Sequence, residues 1–424
     1  MRKPLVAAAL TASVLVLASC AMPADDPNFA GGTGGEVIDA DVASANAADQ
    51  AALEVAYAAP TSIGVDAPLP AVPAKGATIV SLTGGSDYEG VFETALAEAA
   101  GALGWTVESV VVDEVDSVAV AAAFDEAVAS GPAGIHITGG QLHALAQSLL
   151  KAKAAGIPVI CTGCSGEPVG GLADTSINGT EQNILWADVL ASYVVTNQYE
   201  GEDAGVQVFV LPGGALSDFN LEFATSLLDQ CRNCSSTDSV IDPTLLDLSD
   251  PVSVAGFVGS EMSTSLGSWA LLDSGALSAG VADALATDPM LLAPVVLIGR
   301  GATAADIEAL QALGGAAPTD PGSSASASDS TQGDAAAEGQ AAAGRTQEQA
   351  AGLQAWIGIP QPVMAWRVID QFARIIGGAE PVTGLLPSQL LAGANAADAA
   401  VDESGNYVGI ADYQDQFKAL WGVS

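Results

Sequence analysis

The chain predicts an α/β fold with two Rossmann-like lobes, each a parallel sheet covered by helices. Three observations lead there. Short β-rich runs alternate with helical patterns from Gly76 onward, and the alternation runs through twice. Most of the runs are apolar on both faces, as strands are when helices cover both sides of a parallel sheet.

In order, Ala77–Leu82 reads as a strand ending in Thr83-Gly84-Gly85-Ser86-Asp87, and a helix follows over Tyr88–Leu103. Val107–Val112 is a second strand. The helix Ser117–Ser130 sets Val120, Phe124 and Val128 four apart on one face. Ala133–Thr138 is a third strand, Leu142, Leu145 and Leu149 mark an amphipathic helix, and Ile157–Ile160 is a fourth strand. The second cycle has helices over Thr180–Asn197, Ser217–Gln230, Val252–Met262, Ala276–Ala286 and Ala304–Leu313. Its strands are Val206–Leu211, one within Val240–Leu248, Trp269–Leu272 and Val295–Ile298, and Trp356–Ile359 with Val363–Ile376 adds a last strand and helix. The predicted boundaries are 76–178 plus about 361–385 for the first lobe, and 179–360 plus about 386–424 for the second. Residues 316–343 lack any large apolar residue and are expected as a disordered insertion on the side away from a ligand.

The beginning of the chain reads as an export signal. Arg2 and Lys3 precede an apolar stretch, Leu5–Leu17, shorter than the roughly 20 residues of a membrane span. It ends in Leu17-Ala18-Ser19-Cys20, which resembles a lipobox whose cysteine carries lipid. Residues 1–20 are thus expected as a lipoprotein signal. Residues 21–75, rich in Ala, Gly, Asp and Pro, are expected as an acidic flexible tether holding the protein at the outer face of the cytoplasmic membrane. The chain counts 50 Asp plus Glu against 11 Lys plus Arg, a formal net charge of -39. Such a surface repels phosphates at long range, so nucleic acid is excluded as a partner.

Two Cys-x-x-Cys pairs follow Cys20. Cys161/Cys164 comes after a strand and Cys231/Cys234 after a helix, which sets them apart. A four-cysteine zinc site matches the spacing; two local disulfides suit an oxidising compartment and the separation better. His136 in a strand and His143 on a helix have no acidic cluster beside them and read as structural. The sequence shows no nucleophile elbow, phosphate loop or zinc-protease motif. No enzyme, cofactor or metal is expected.

Longer stretches carry a resemblance. Ala67-Pro68-Leu69-Pro70-Ala71-Val72-Pro73-Ala74-Lys75-Gly76, Ala102-Leu103-Gly104-Trp105, Gly134-Ile135-His136-Ile137, Ala154-Ala155-Gly156-Ile157-Pro158-Val159-Ile160 and the final Tyr413–Gly422 look like actinobacterial sugar-type ABC transporter substrate-binding lipoproteins. The resemblance covers nearly the whole chain from Pro68 except the insertion. It implies the type I periplasmic-binding-protein fold, with three crossing strands as hinge and a cleft that closes on a small solute. It also implies a monomeric capture subunit that hands a sugar or sugar derivative to a membrane permease. A lipoprotein that presents its closed form to a membrane receptor is the alternative, and an extracellular hydrolase a third. Fold alone does not separate them.

In this reading the loops that follow strands line the cleft. They offer Ser86, Asp87, Tyr88, Gln141, Thr162, Phe219, Asp273 and Arg300 as ligand-binding residues, with Gln361 near a crossing. Carboxylates and amides orient hydroxyls, and Tyr88, Phe219 or Trp366 would cover an apolar sugar face. Asp87 is equally readable as a helix cap. Arg300 stands in Gly299-Arg300-Gly301, where relatives often carry aspartate. It points either to an anionic solute or to an internal ion pair with Asp273 or Asp87.

Overall fold

A computed structural model describes residues 40–112, 116–139, 145–164, 170, 172–174, 176–198, 205–212, 217–231, 233–265, 267–287, 294–313 and 347–424. The expected leader with Cys20, the start of the tether and the insertion 316–343 lie outside the described residues. Ahead of the sheets, helix α1 spans Ala40–Tyr57.

The first lobe runs β1 (Thr78–Thr83), α2 (Asp87–Ala102), β2 (Thr106–Val111), α3 (Ser117–Ser130), β3 (Gly134–Thr138), α4 (Ala146–Ala155), β4 (Val159–Thr162) and β5 (Leu172–Asp174). Its sheet order is β2-β1-β3-β4-β5 with every pairing parallel. The central strands are largely buried, whereas β2 at the edge is mostly exposed.

The second lobe runs α5 (Thr180–Asn197), β6 (Gly205–Val210), α6 (Asp218–Gln230), β7 (Ser235–Val240), α7 (Pro251–Thr264) and β8 (Trp269–Leu272). It continues through α8 (Gly275–Ser278), α9 (Val281–Thr287), β9 (Val296–Arg300), α10 (Ala304–Leu313), α11 (Gln347–Gly352) and β10 (Ala355–Gly358). Helix α12 (Gln361–Ile376) then returns to the first lobe, β11 (Gln389–Ala392) closes the second sheet, and α13 (Tyr413–Trp421) ends the chain. The order is β11-β10-β9-β8-β6-β7, parallel except for the antiparallel β10–β11 pair.

Several expectations need correction. The strand expected within Val240–Leu248 is Ser235–Val240, because β7 is an exposed edge that needs no apolar run. The helix expected over Ala276–Ala286 is two short ones, parted at Gly280 where φ is +72°. The end of the chain belongs to the first lobe, not the second. Tyr413, Phe417 and Trp421 turn one face of α13 onto Trp366 of α12, with the two indoles stacked 5.2 Å apart. That packing removes Trp366 from any sugar face.

The stretch 44–75, expected as flexible tether, is likewise packed. Leu53 joins the core of the second lobe, while Ile63 and Val65 join that of the first. Buried cations and amides hold the carbonyls of this stretch: Arg367 donates to Ile63, Arg374 to Ala67, and Gln389 and Asn395 both to Tyr57. A polar composition hid a few well-placed apolar residues. The three expected crossings follow Ile177, Ile359 and Leu386, and two flanking stretches cross as well. The chain passes from one core to the other at 58–62, after Ile177, between Ile359 and Val363, between Leu386 and Leu390, and along 400–408.

Candidate binding cleft

In parallel sheets of this kind, ligand groups gather beyond the carboxyl ends of the strands. In the second lobe those ends are β8 and β9. Asp273 follows β8 directly, and Arg300 is the last residue of β9. The Arg300 Nε donates to Asp273 Oδ1 at 2.7 Å and to the Asp273 carbonyl at 3.0 Å. Its Nη1 donates to Asn183 Oδ1 at 2.7 Å. The guanidinium carbon lies 4.3 Å from the centre of the Phe219 ring, a cation–π distance. Asn220 Nδ2 donates to the other Asp273 oxygen at 3.0 Å. Burial pushes the Asp273 carboxyl upward, and Arg300 and Asn220 pull it part of the way back. The pair is held on all sides but one, since Arg300 Nη2 has no partner among the described residues.

Each member has a local reason for its place. Ser217 caps α6 by accepting from the Asn220 backbone N–H, which fixes Phe219 and Asn220 on the first turn. Asn183 lies on the first turn of α5, just after the crossing at Ile177. Tyr88 reaches this group from the first lobe. Its hydroxyl is within hydrogen-bonding reach of Gln361, the first residue of α12, and burial pushes its pKa up to about 12.

Of the first lobe's remaining candidates, Ser86 and Thr162 are engaged elsewhere. Ser86 is the N-cap of α2, in a capping box with Glu89: its Oγ accepts from the Glu89 N–H, and its own N–H donates to Glu89 Oε2 at 3.0 Å. Asp87 is exposed and does not cap the helix. Thr162 is buried, its Oγ1 3.1 Å from His136 Nε2. His136 Nδ1 lies 2.9 Å from Ser81 Oγ, and Ser81 donates to Glu93 at 2.7 Å. A hydroxyl has one proton, so His136 Nδ1 donates to Ser81, and Nε2 accepts the Thr162 proton. Burial drops the His136 pKa to about 3, which keeps the ring neutral in that role. Gln141 and His143 lie outside the described residues.

The structure thus brings together Tyr88, Phe219, Asp273, Arg300 and Gln361, and sets Ser86, Asp87 and Thr162 apart. The sequence reading missed Asn183 and Asn220. Nothing in the spacing marked them, since both reach the site from helices, and α5 buries Gln182 and Ser192 as well as Asn183. The cysteines pair locally, Cys161 with Cys164 and Cys231 with Cys234, at Cα separations of 5.9 and 5.3 Å. Among the described residues no cluster of His, Cys, Asp and Glu could hold a metal, and no helix is long and apolar enough to cross a membrane.

Two α/β lobes with a polar cluster at the strand ends and several crossings define a type I periplasmic-binding-protein fold. The family model described as the periplasmic binding protein domain matches residues 77–230. No curated protein sequence matches the chain. Solved structures share the fold. An ABC transporter solute-binding protein from Agrobacterium vitis with bound allitol is 16% identical, covering 76% of this chain and 98% of its own at a TM-score of 0.55. A carbohydrate transporter solute-binding protein from Agrobacterium radiobacter in complex with D-arabinose is 15% identical, with 76% and 96% covered and a TM-score of 0.55. A carbohydrate transporter from Acidothermus cellulolyticus in complex with myo-inositol is 13% identical, with 76% and 96% covered and a TM-score of 0.54.

Proposed function

We propose that this protein captures a small, uncharged, polyhydroxylated solute, a sugar or polyol, between its lobes for an ABC importer. The cluster of Arg300, Asp273, Asn183 and Phe219 at the strand ends carries the reading. Arg300 and Asp273 sum to no charge, so this cluster has no spare cation for a carboxylate among the described residues. What they offer is a donor edge at Nη2, acceptor lone pairs on Asp273, and the Tyr88 and Gln361 polar groups opposite. Hydroxyls both donate and accept, and match such a mixed set. The solutes in the similar structures, allitol, D-arabinose and myo-inositol, are of that chemistry.

Capture works by population shift: a solute touching both lobes favours the closed form by its extra contacts there. Under this reading Cys20 carries the lipid, the membrane permease is the partner, and the protein works as a monomer outside the cytoplasmic membrane. A thermal-shift screen over pentoses, hexoses, polyols and their acids tests the site, since binding to the folded form raises the melting temperature. A neutral member should raise it most. Preference for an aldonate or uronate over its neutral parent would sink the uncharged-solute reading, and no response to any member would sink the sugar class.

A further inference from the structure

We infer that Tyr88 is an interlobe latch: its ring, carried by the first lobe, seats against Gly275 and Gly301 of the second and fixes the geometry in which the cleft closes. A Cβ placed on Gly275 would lie 2.5 Å from Tyr88 Cε2 and 2.8 Å from Cδ2. One on Gly301 would lie 2.4 Å from the Tyr88 hydroxyl oxygen and 3.0 Å from Cζ. Contacts of that length do not occur between real side chains, so the ring occupies space that exists because both positions lack a side chain. Gly301 directly follows Arg300, and its φ of +76° suits glycine. Gly275 opens α8 just beyond Asp273. The slot is thus built from the same two strand ends that hold the Arg300–Asp273 pair.

The tyrosine is also aimed. It is the second residue of α2, inside the turn that the Ser86–Glu89 capping box fixes, so its backbone has little freedom. At the far end its hydroxyl finds Gln361 at a crossing, with Arg300 nearby. One side chain therefore connects the first lobe, the second lobe and the hinge. Tyr88 acts on capture as a positioning residue: it determines how far the lobes close and how tightly they stay closed, and solute binds beside it. This role rests on the proposed capture function for its purpose, but the contact itself can be tested without any solute.

The test is the interlobe distance measured by pulsed electron spin resonance on the full chain in a Cys20→Ser background. Spin labels replace Val118 of the first lobe and Val252 of the second, which are 76% and 67% exposed. Without solute, the unaltered Tyr88 protein should populate a short distance, and Tyr88→Phe, which keeps the ring, should largely retain it. Tyr88→Ala should lower the short-distance fraction on the order of tenfold, and apparent affinity falls in proportion to the competent fraction. For a solute found in the screen, the alanine variant should release it faster by a similar factor with no slower capture, a split that general destabilisation does not produce. If the alanine variant fails to fold by circular dichroism, Tyr88→Leu, too short to reach Gly301, is read the same way. Identical distance distributions for the tyrosine and its truncated variant would overturn the latch. A silent screen with a Tyr88-dependent distance would instead overturn the solute class and leave the latch standing.

Discussion

In the first lobe, the polar side chains near the strand ends serve the lobe itself, as far as the described residues go. Ser86 closes a helix cap, and Ser81, His136 and Thr162 form a buried chain across β1, β3 and β4. In the second lobe the corresponding ends hold Asp273 and Arg300, braced by Asn183 and Asn220 from neighbouring helices. The topology is repeated and the chemistry is not. The first lobe contributes Tyr88 to the cluster, from α2, and the second contributes its charged pair. Duplicated architecture therefore leaves each half free to specialise.

Removing a charge from the second lobe should have the largest effect. Asp273→Ala strands Arg300, whose side chain is 16% exposed, without its carboxylate. Breaking a buried pair costs about 3–5 kcal/mol. Chemical denaturation should show that loss, and solute affinity should drop beyond detection in the thermal-shift assay. A variant that binds normally would return the binding role to the first lobe.

An intermediate effect belongs to His136. Its folded pKa is depressed, from an ordinary 6.5 to about 3. The unfolded chain therefore takes up the proton first, and stability is full above pH 6.5 and erodes as pH falls toward 3. Over that window the unfolding constant should rise roughly tenfold per pH unit from this residue alone. His136→Gln should flatten that part of the slope in urea titrations between pH 7 and 4. An unchanged slope would mean that the imidazole is not the neutral link described.

The smallest effect is expected at Ser86. Losing an N-cap costs typically about 1 kcal/mol, so Ser86→Ala should lower the denaturant midpoint modestly. A larger loss in solute affinity than in stability would restore Ser86 to the cleft and weaken the contrast between lobes.

The two-lobed α/β plan was legible because buried parallel strands such as Val206–Val210 and Val296–Ile298 are nearly unbroken apolar runs. Edge strands lack that mark: Ser235–Val240 is polar and was placed too late in the chain, and Leu172–Asp174 was not seen. Members of the cluster were legible where they stand at or just beyond a strand end, as Arg300 and Asp273 do. Asn183 and Asn220 were not, since they reach the site from helices. Ser86 stands in the loop after β1 and Thr162 at the end of β4, but position does not reveal that a hydroxyl is already bonded to Glu89 or His136. The 44–75 stretch shows the limit of composition: a few apolar residues, Leu53, Ile63 and Val65 among them, dock it together with hydrogen bonds to its carbonyls.

That docking has a mechanical consequence. Tyr57 is pinned to the second lobe through its carbonyl, and Ile63 is sunk in the first, so residues 58–62 form a short leash between them. An extended chain gains at most about 3.3–3.6 Å per residue. At this edge the halves can therefore part to roughly 20 Å between those anchor points before α1 must peel away. The gape of the empty protein is capped by a piece of backbone that touches no solute.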